Sequence, residues 1–226
     1  MFDEMKSFYL RNLSLFRHLS EAQLAEVANV VRFKQVYRGE TVQYGSGNFS
    51  KIFFVIKGKL KLTDLDEENN ELVKDILTDG AIFGDLELEG TPDGDELAQA
   101  LTANTIVCYF NVNDFKKLME AVPSLALNYA KAVSSKLRRL EDRHADLVFR
   151  DAKSRLITFI KNWARTDGNK VGDKIVLNNY LTHTDIANFI STSRQSVNVL
   201  LNELRDSGML FYNRKRIELN NPMVWN

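Results

Sequence analysis

The stretch LTHTDIANFISTSRQSVNVLLNEL, Leu181 to Leu204, reads as two short helices joined by a tight turn. Thr182 and Asp185 form a predicted capping box at the start of the first helix, because each side chain can bond the backbone N–H of the other residue. Thr192 or Ser193 is the predicted cap of the second helix. That helix has apolar residues at the i, i+3, i+4, i+7 spacing of a buried face: Val197, Leu200, Leu201 and Leu204.

The opposite side of the second helix has no charged residue except the flanking Arg194. It presents Gln195, Asn198, Val199 and Asn202. A helix face that is merely solvated would carry Lys and Glu, whereas amides pair with adenine, Arg pairs with guanine, and an exposed Val can touch a thymine methyl. This face therefore predicts a helix that reads base edges in the major groove of double-stranded DNA.

A basic hairpin is predicted directly after the helix pair. Gly208 ends the second helix, and the strands Leu210–Tyr212 and Arg216–Leu219 follow. Three cations at its turn are placed to meet phosphates: Arg214, Lys215 and Arg216. Residues 151–226 carry 11 Lys and Arg against 7 Asp and Glu, so the basic excess lies with this motif. Together these features predict a winged helix-turn-helix.

The N-terminal part has a different pattern. Residues 7–29 predict short helices, and residues 31–110 predict short strands punctuated by glycines, as in an antiparallel barrel or sandwich. The loop Asp66 to Glu71 is the predicted tip of a hairpin. The fold class is therefore α+β, with a β-rich domain before the helix-turn-helix.

One long helix is predicted between these parts, from Pro123 to about Val148, where no Gly or Pro intervenes. Its apolar residues alternate at spacings of four and three, which is the pattern of a coiled-coil seam. The stripe begins at Ala126 and Ala130 and continues through Val133, Leu137, Leu140, His144 and Leu147. We expect a parallel homodimer, the alternative being that the stripe packs on its own barrel.

The predicted boundaries follow from these elements. Residues 1–122 form a β-roll sensing domain, residues 123–149 the dimerisation helix and hinge, and residues 150–226 the DNA-binding domain. Asp151 is a predicted N-cap for a helix through Trp163, and Arg165 to Lys174 is a predicted loop.

This order of elements, with TDIANFISTSRQSVNVLLNELRDSGML, resembles the cyclic-AMP receptor protein/fumarate–nitrate regulator (CRP/FNR) superfamily of bacterial transcription factors. The resemblance implies an N-terminal double-stranded β-helix (jelly-roll) domain like that which binds cyclic nucleotides. It implies that Thr182, His183 and Ser193 contact phosphates and that Arg194 reads a guanine in a palindromic operator. The cyclic-AMP type has an acidic residue and a second Arg where this chain has Gln195 and Val199, which predicts a more A·T-rich half-site.

The cyclic-AMP cassette of the family is altered at each position that would recognise the ligand. The resemblance places its Gly-Glu, Arg-Ser and Thr-Ser pairs at the following residues: Gly84 and Asp85, Leu97 and Ala98, Leu140 and Glu141. Asp64 to Glu96 holds 13 acidic residues and one base, Lys74. A phosphodiester there lacks charge-assisted hydrogen bonds, so we predict a small-molecule effector other than cyclic AMP, of unknown identity.

Other cofactors and catalytic activity have little support in the sequence. The lone Cys108 excludes a cysteine-bound iron–sulfur cluster. His18, His144 and the five Met residues are candidate haem ligands, although such residues are more often structural. Asp85, Glu87 and Glu89 are a candidate cation site, for which a solvated acidic edge is the commoner explanation. The sequence shows no nucleophile paired with a base and no phosphate-binding loop, so we expect the protein to have no enzymatic activity.

Two further functions stay open at this stage. One is a cyclic-nucleotide-binding-like module that regulates a partner protein, and the other is a genuine cyclic-nucleotide-responsive activator. The charged N-terminus lacks the apolar run of a signal peptide or membrane span, and one cysteine suits a reducing compartment, so a cytoplasmic protein is expected. By the resemblance alone, the loop Asp167 to Lys174 is a candidate contact for RNA polymerase.

Overall fold

The computed structural model describes residues 2–43, 50–65, 67–68, 71–88 and 96–220. The described chain divides into two compact units, Met1–Arg139 and Leu140–Asn226. The predicted α+β class, with a β-roll, a long helix and a C-terminal helix-turn-helix, is confirmed. None of the helices within the described ranges is long and apolar enough to cross a membrane.

The first unit contains eight strands and the helices around them. Its helices are α1 (Phe2–Asn12), α2 (Glu21–Val30) and α3 (Val112–Ala121), followed by the start of α4 (Pro123–Phe149). Its strands are β1 (Arg32–Val36), β2 (Thr41–Gln43), β3 (Lys51–Lys57), β4 (Leu60–Leu65), β5 (Glu71–Leu77), β6 (Ile82–Gly84), β7 (Leu97–Ala100) and β8 (Thr105–Asn111).

The strands form two four-stranded antiparallel sheets, in the orders β1-β8-β3-β6 and β2-β7-β4-β5. This interleaving of early and late strands makes a jelly roll. β3 is almost continuously apolar because both of its faces are buried. Phe53 and Val55 point into the roll, whereas Ile52 and Phe54 pack under the helices. The hairpin β4–β5 confirms the predicted strand pair, although Asp66, Asn69 and Asn70 of its predicted tip lie outside the described residues.

The second unit holds the end of α4, three more helices and a sheet. The helices are α5 (Ala152–Asp167), α6 (His183–Phe189) and α7 (Arg194–Asp206). The strands are β9 (Asn169–Val171), β10 (Lys174–Asn178), β11 (Leu210–Tyr212) and β12 (Arg216–Asn220), in the order β11-β12-β10-β9. The caps predicted at Asp151 and Thr182 are present, and Ser193, rather than Thr192, caps α7.

The prediction of a loop from Arg165 to Lys174 is wrong. α5 continues to Asp167, and the hairpin β9–β10 follows, turning at Gly172, whose φ is +57°. β10 pairs with β12, so the predicted wing strands belong to a four-stranded sheet. Pairing satisfies the backbone groups of this polar segment, which the sequence pattern alone did not indicate.

Candidate nucleic-acid interface

The helix pair α6–α7 is held by an apolar core and two side-chain caps. Ile186 and Ala187 of α6 and Val197, Leu201 and Leu204 of α7 are buried. Thr182 accepts a hydrogen bond from the Asp185 amide (3.1 Å), and the Asp185 carboxylate accepts bonds from both the amide (2.8 Å) and the hydroxyl (2.6 Å) of Thr182. The Ser193 hydroxyl accepts from the Ser196 amide (3.0 Å). The start of each helix is therefore fixed by its own sequence.

The predicted reading face of α7 is exposed. Arg194, Gln195, Asn198 and Val199 are exposed, and Val199 shows 55% of its surface to solvent. Nothing in the described parts of the chain forms an ion pair with Arg194. An unpaired guanidinium beside exposed amides and a methyl-bearing side chain presents the donors, acceptors and apolar contact that base edges require. Asn202 differs, because its side-chain oxygen accepts a hydrogen bond from the Tyr212 hydroxyl (3.1 Å) and so ties α7 to β11.

The wing cations differ in their pairing. Arg214 and Lys215 are exposed and have no ion-pair partner among the described residues. Arg216 pairs with Glu218 (2.7 Å), which also pairs with Lys174 (3.0 Å). Arg216 was predicted to face phosphates together with its two neighbours, but its charge is shared with a carboxylate. The turn itself is held by Asn213, whose side-chain oxygen accepts from the amides of residues 215 and 216.

His183 begins α6, and its ring packs against Tyr212 with 5.6 Å between centroids. Burial, and then the neighbouring Arg194 guanidinium, lower the pKa of the His183 imidazole. Both effects favour the neutral form of the ring. The hydroxyls of Thr182 and Ser193, predicted to contact phosphates, lie on exposed residues and also serve as caps.

The predicted effector-pocket residues differ in burial and in the contacts they make. Gly84 ends β6 with φ +95°, and a Cβ there would lie 2.5 Å from the Lys51 carbonyl oxygen. Asp85 accepts hydrogen bonds from the Ser50 hydroxyl and the Leu88 amide, so it braces the turn after β6. This retained Gly-Asp pair therefore has a structural reason that needs no ligand.

The other pocket positions offer no cation. Leu97 is half-buried and Ala98 is fully buried in the core of the roll, while Leu140 and Glu141 are exposed on α4. Two lysines from outside the acidic stretch, Lys61 and Lys136, join Lys74 in pairing with some of its carboxylates. Lys61 pairs with Glu71 (2.7 Å), Lys74 with Glu96 and Asp64, and Lys136 of α4 with Asp75 (3.7 Å).

The α4 stripe divides into a packed part and an exposed part. Of the stripe, Val133 packs against the core of the first unit, next to Leu125 and Tyr129 from neighbouring positions of the helix, while Ala126 is half-buried and Ala130 is exposed. Leu137, Leu140 and Leu147 are 56%, 45% and 38% exposed, and His144 is exposed with them. The alternative that the stripe packs on its own barrel thus finds support at Val133, whereas Ala130 and the stripe residues from Leu137 onward are exposed.

The remaining candidate ligands are not brought together. Cys108 is buried in β8, and burial raises the pKa of its thiol. His18 and His144 are exposed. Asp85 and Glu87 follow β6 in a bend, and Glu89 lies outside the described residues. Across the residues that the structure describes, no three His, Cys, Asp or Glu side chains are grouped to hold a metal ion.

A β-roll followed by a helix with an exposed, amide-rich reading face and by a basic wing defines the class of protein as a DNA-binding transcription regulator. Comparisons with known proteins agree. The family model described as cyclic nucleotide-binding domain matches residues 33–122, and that described as Crp-like helix-turn-helix domain matches residues 154–223.

Similar proteins match along most of their own length. The global nitrogen regulator of Synechococcus elongatus is 28% identical over 214 residues, covering 94% of each chain. The fumarate nitrate reduction regulatory protein of Klebsiella oxytoca is 24% identical, covering 90% of this chain and 81% of its own. A mutant of CooA from Carboxydothermus hydrogenoformans superposes with a TM-score of 0.74 at 27% identity, covering 95% and 94%. The chain belongs to the CRP/FNR family of transcription regulators.

Proposed function

We propose that this regulator acts as a homodimer that binds a palindromic operator without cyclic AMP. The observation that carries this proposal is that two surfaces are exposed: the leucines near the end of α4, and the reading face of α7. A monomer gains nothing from three exposed leucines at heptad spacing, whereas a parallel pair of helices buries them. Residues 123–149 are then the dimerisation helix between a sensor in residues 1–122 and a reader in residues 150–226.

The proposed DNA contacts follow from exposure and charge. Arg194 pairs with guanine, Gln195 and Asn198 pair with adenine, and Val199 touches a thymine methyl. Thr182, His183, Ser193, Arg214 and Lys215 contact phosphates, and Arg216 contributes less because Glu218 shares its charge. Two such readers about 34 Å apart match successive major grooves on one side of the duplex.

The proposal of an effector other than cyclic AMP rests on the charges of the roll. Lys61, Lys74 and Lys136 each contact a carboxylate, so a phosphodiester would have to displace an ion pair to gain a cation. The effector would shift α4 near Leu137 to Leu147 and thereby alter the separation of the two readers. We propose that the protein has no catalytic activity, and that the turn of the β9–β10 hairpin contacts RNA polymerase as the family resemblance implies.

The test is an unbiased selection of DNA by the purified protein at moderate salt, with and without cyclic AMP. Enrichment of a palindrome in the absence of the nucleotide is the expected result. A palindrome that appears only with cyclic AMP would contradict the proposed effector class. Enrichment of single half-sites only would contradict the dimer, which analytical ultracentrifugation checks independently on wild type and on Leu140→Glu.

A further inference from the structure

An arginine of the long helix α4 contacts the C-terminal end of α6. Arg143 of α4 donates from Nη2 to the Phe189 carbonyl oxygen at 2.7 Å, and its guanidinium lies 4.2 Å from the centroid of the Phe189 ring. The same ring also contacts Phe159 of α5, with 5.0 Å between centroids. One side chain thus makes a charge-assisted hydrogen bond and a cation–π contact with the last residue of α6.

A second arginine holds the next two carbonyls of the turn. Arg155 of α5 donates from Nε to Ile190 O (2.9 Å) and from Nη2 to Ser191 O (3.2 Å). Ser191 has φ +53°, the left-handed conformation that non-glycine residues seldom adopt. Helix C-termini leave carbonyl oxygens unpaired and favour cations, so the two guanidinium groups complete the end of α6 at residues 189–191.

The two arginines differ in what they connect. The α6–α7 pair already has its own caps and buried core, and Arg155 adds bonds from α5, which directly precedes the hairpin β9–β10. Arg143 instead lies on α4, six residues before the helix ends at Phe149 and one turn from the exposed Leu140 and Leu147. Its bond ties the reading helices to the helix that carries the proposed dimer seam.

We infer that Arg143 is a positioning residue for DNA recognition: by fixing the end of α6 to α4, it sets the spacing at which a dimer accepts two operator half-sites. This inference rests on the proposed dimeric function. Loss of Arg143 frees the angle between α4 and the reader without altering the groups that contact bases. Binding to one half-site should therefore survive, while the preference for one spacing should weaken.

The experiment measures fluorescence anisotropy on four DNA molecules: a single half-site, the selected palindrome, and palindromes with one base pair added or removed. One base pair shifts a half-site by about 3.4 Å and rotates it around the duplex. The proteins are wild type, Arg143→Met and Arg143→Lys, with Arg138→Met as the matched control, since Arg138 is exposed on the same helix.

Arg143→Met should bind the selected palindrome about tenfold more weakly, which is the low end for loss of a hydrogen bond to a charged group. Its half-site affinity should stay within about twofold of wild type. The cost of orienting the reader arises only when both readers of a dimer must fit two half-sites at once. Its penalty for altered spacing should shrink. Arg143→Lys should be intermediate, because an ammonium keeps the charge but lacks the planar fork. Arg138→Met should match wild type.

Equal weakening on half-site and palindrome, with an unchanged spacing penalty, would overturn the inference, because it indicates a damaged reader. Wild-type behaviour of Arg143→Met would overturn it as well. Both results leave the proposed function intact, provided that wild type prefers one spacing. A wild type without any preference for paired half-sites would instead overturn the dimeric function and, with it, the role of Arg143.

Discussion

The β-roll and the DNA-reading domain hold their cations in opposite settings. Lys61 is buried in the roll and pairs with Glu71, and Lys136 is largely buried beside Asp75. In the reader, Arg194, Arg214 and Lys215 are exposed, with no ion-pair partner among the described residues. A ligand of the roll must displace a partner that is already present, whereas DNA displaces only water and counterions from the reader. The difference shows which charges stabilise the fold and which are available for binding.

The largest effect is expected from breaking a pair inside the roll. Glu71→Gln removes a negative charge from beside the buried Lys61 ammonium, so the free energy of unfolding should fall by about 2–3 kcal/mol. Urea unfolding measures this, and half-site affinity should not change. Lys61→Met removes the charge and keeps the packing, and should cost less than about 1 kcal/mol. If both variants unfolded like wild type, the pair would have no part in stability.

On the reader side, Arg194→Ala should weaken operator binding by about 1–3 kcal/mol and relax the preference at one base pair of each half-site. Its unfolding midpoint should match that of wild type, because the Arg194 side chain is exposed. Arg205→Ala is the control, since Arg205 is exposed on the same helix and pairs only locally with Asp206. Unchanged specificity in Arg194→Ala would mean that another element reads the bases.

The wing allows the same comparison within one hairpin. Arg214→Gln and Lys215→Gln should each lower the slope of log affinity against log salt by about 1, because each removes one phosphate contact. Arg216→Gln should change the slope less, since Glu218 already shares that charge. Titrations at four salt concentrations give the slopes. An equal effect of all three substitutions would show that the Arg216–Glu218 pair opens on DNA.

The smallest expected effect concerns His183. Its pKa is lowered in the folded protein, by burial first and then by Arg194, so folding favours the neutral ring. The resulting stability is present above the ordinary pKa of His, about 6.5, and is lost as the pH falls through it. Between pH 7 and 5, wild type should therefore lose more in Tm than His183→Gln, which thermal unfolding at the two pH values measures. Identical pH profiles would contradict the shift.

The sequence predicted the parts of the reader whose signals are local. Caps lie within three residues of the amides they bond, and the heptad spacing of α4 is a property of one helix. The β9–β10 hairpin was missed because β9 is short, polar and exposed, although the run KIVLN of β10 had the composition of a strand.

Interactions between distant residues were beyond local patterns. Lys136 and Asp75 are 61 positions apart, and the contact of Lys136 with the roll became visible only once α4 was placed beside it. The hydrogen bonds of Arg143 and Arg155 to residues 189–191 could not be predicted from the sequence. Their acceptors are backbone carbonyl oxygens, which every residue has, so no side chain marks the acceptor positions. The charge count over Asp64 to Glu96 likewise could not include Lys61 and Lys136, because they lie outside that stretch of sequence.

The four-stranded sheet of the reader ends on both sides in strands of three residues, β9 and β11. Short edge strands, one of which carries Lys170, offer a second protein chain few unpaired backbone groups with which to extend the sheet. The sheet is therefore a poor template for chain-to-chain growth, and many copies can gather along one stretch of DNA without their wings joining into aggregates.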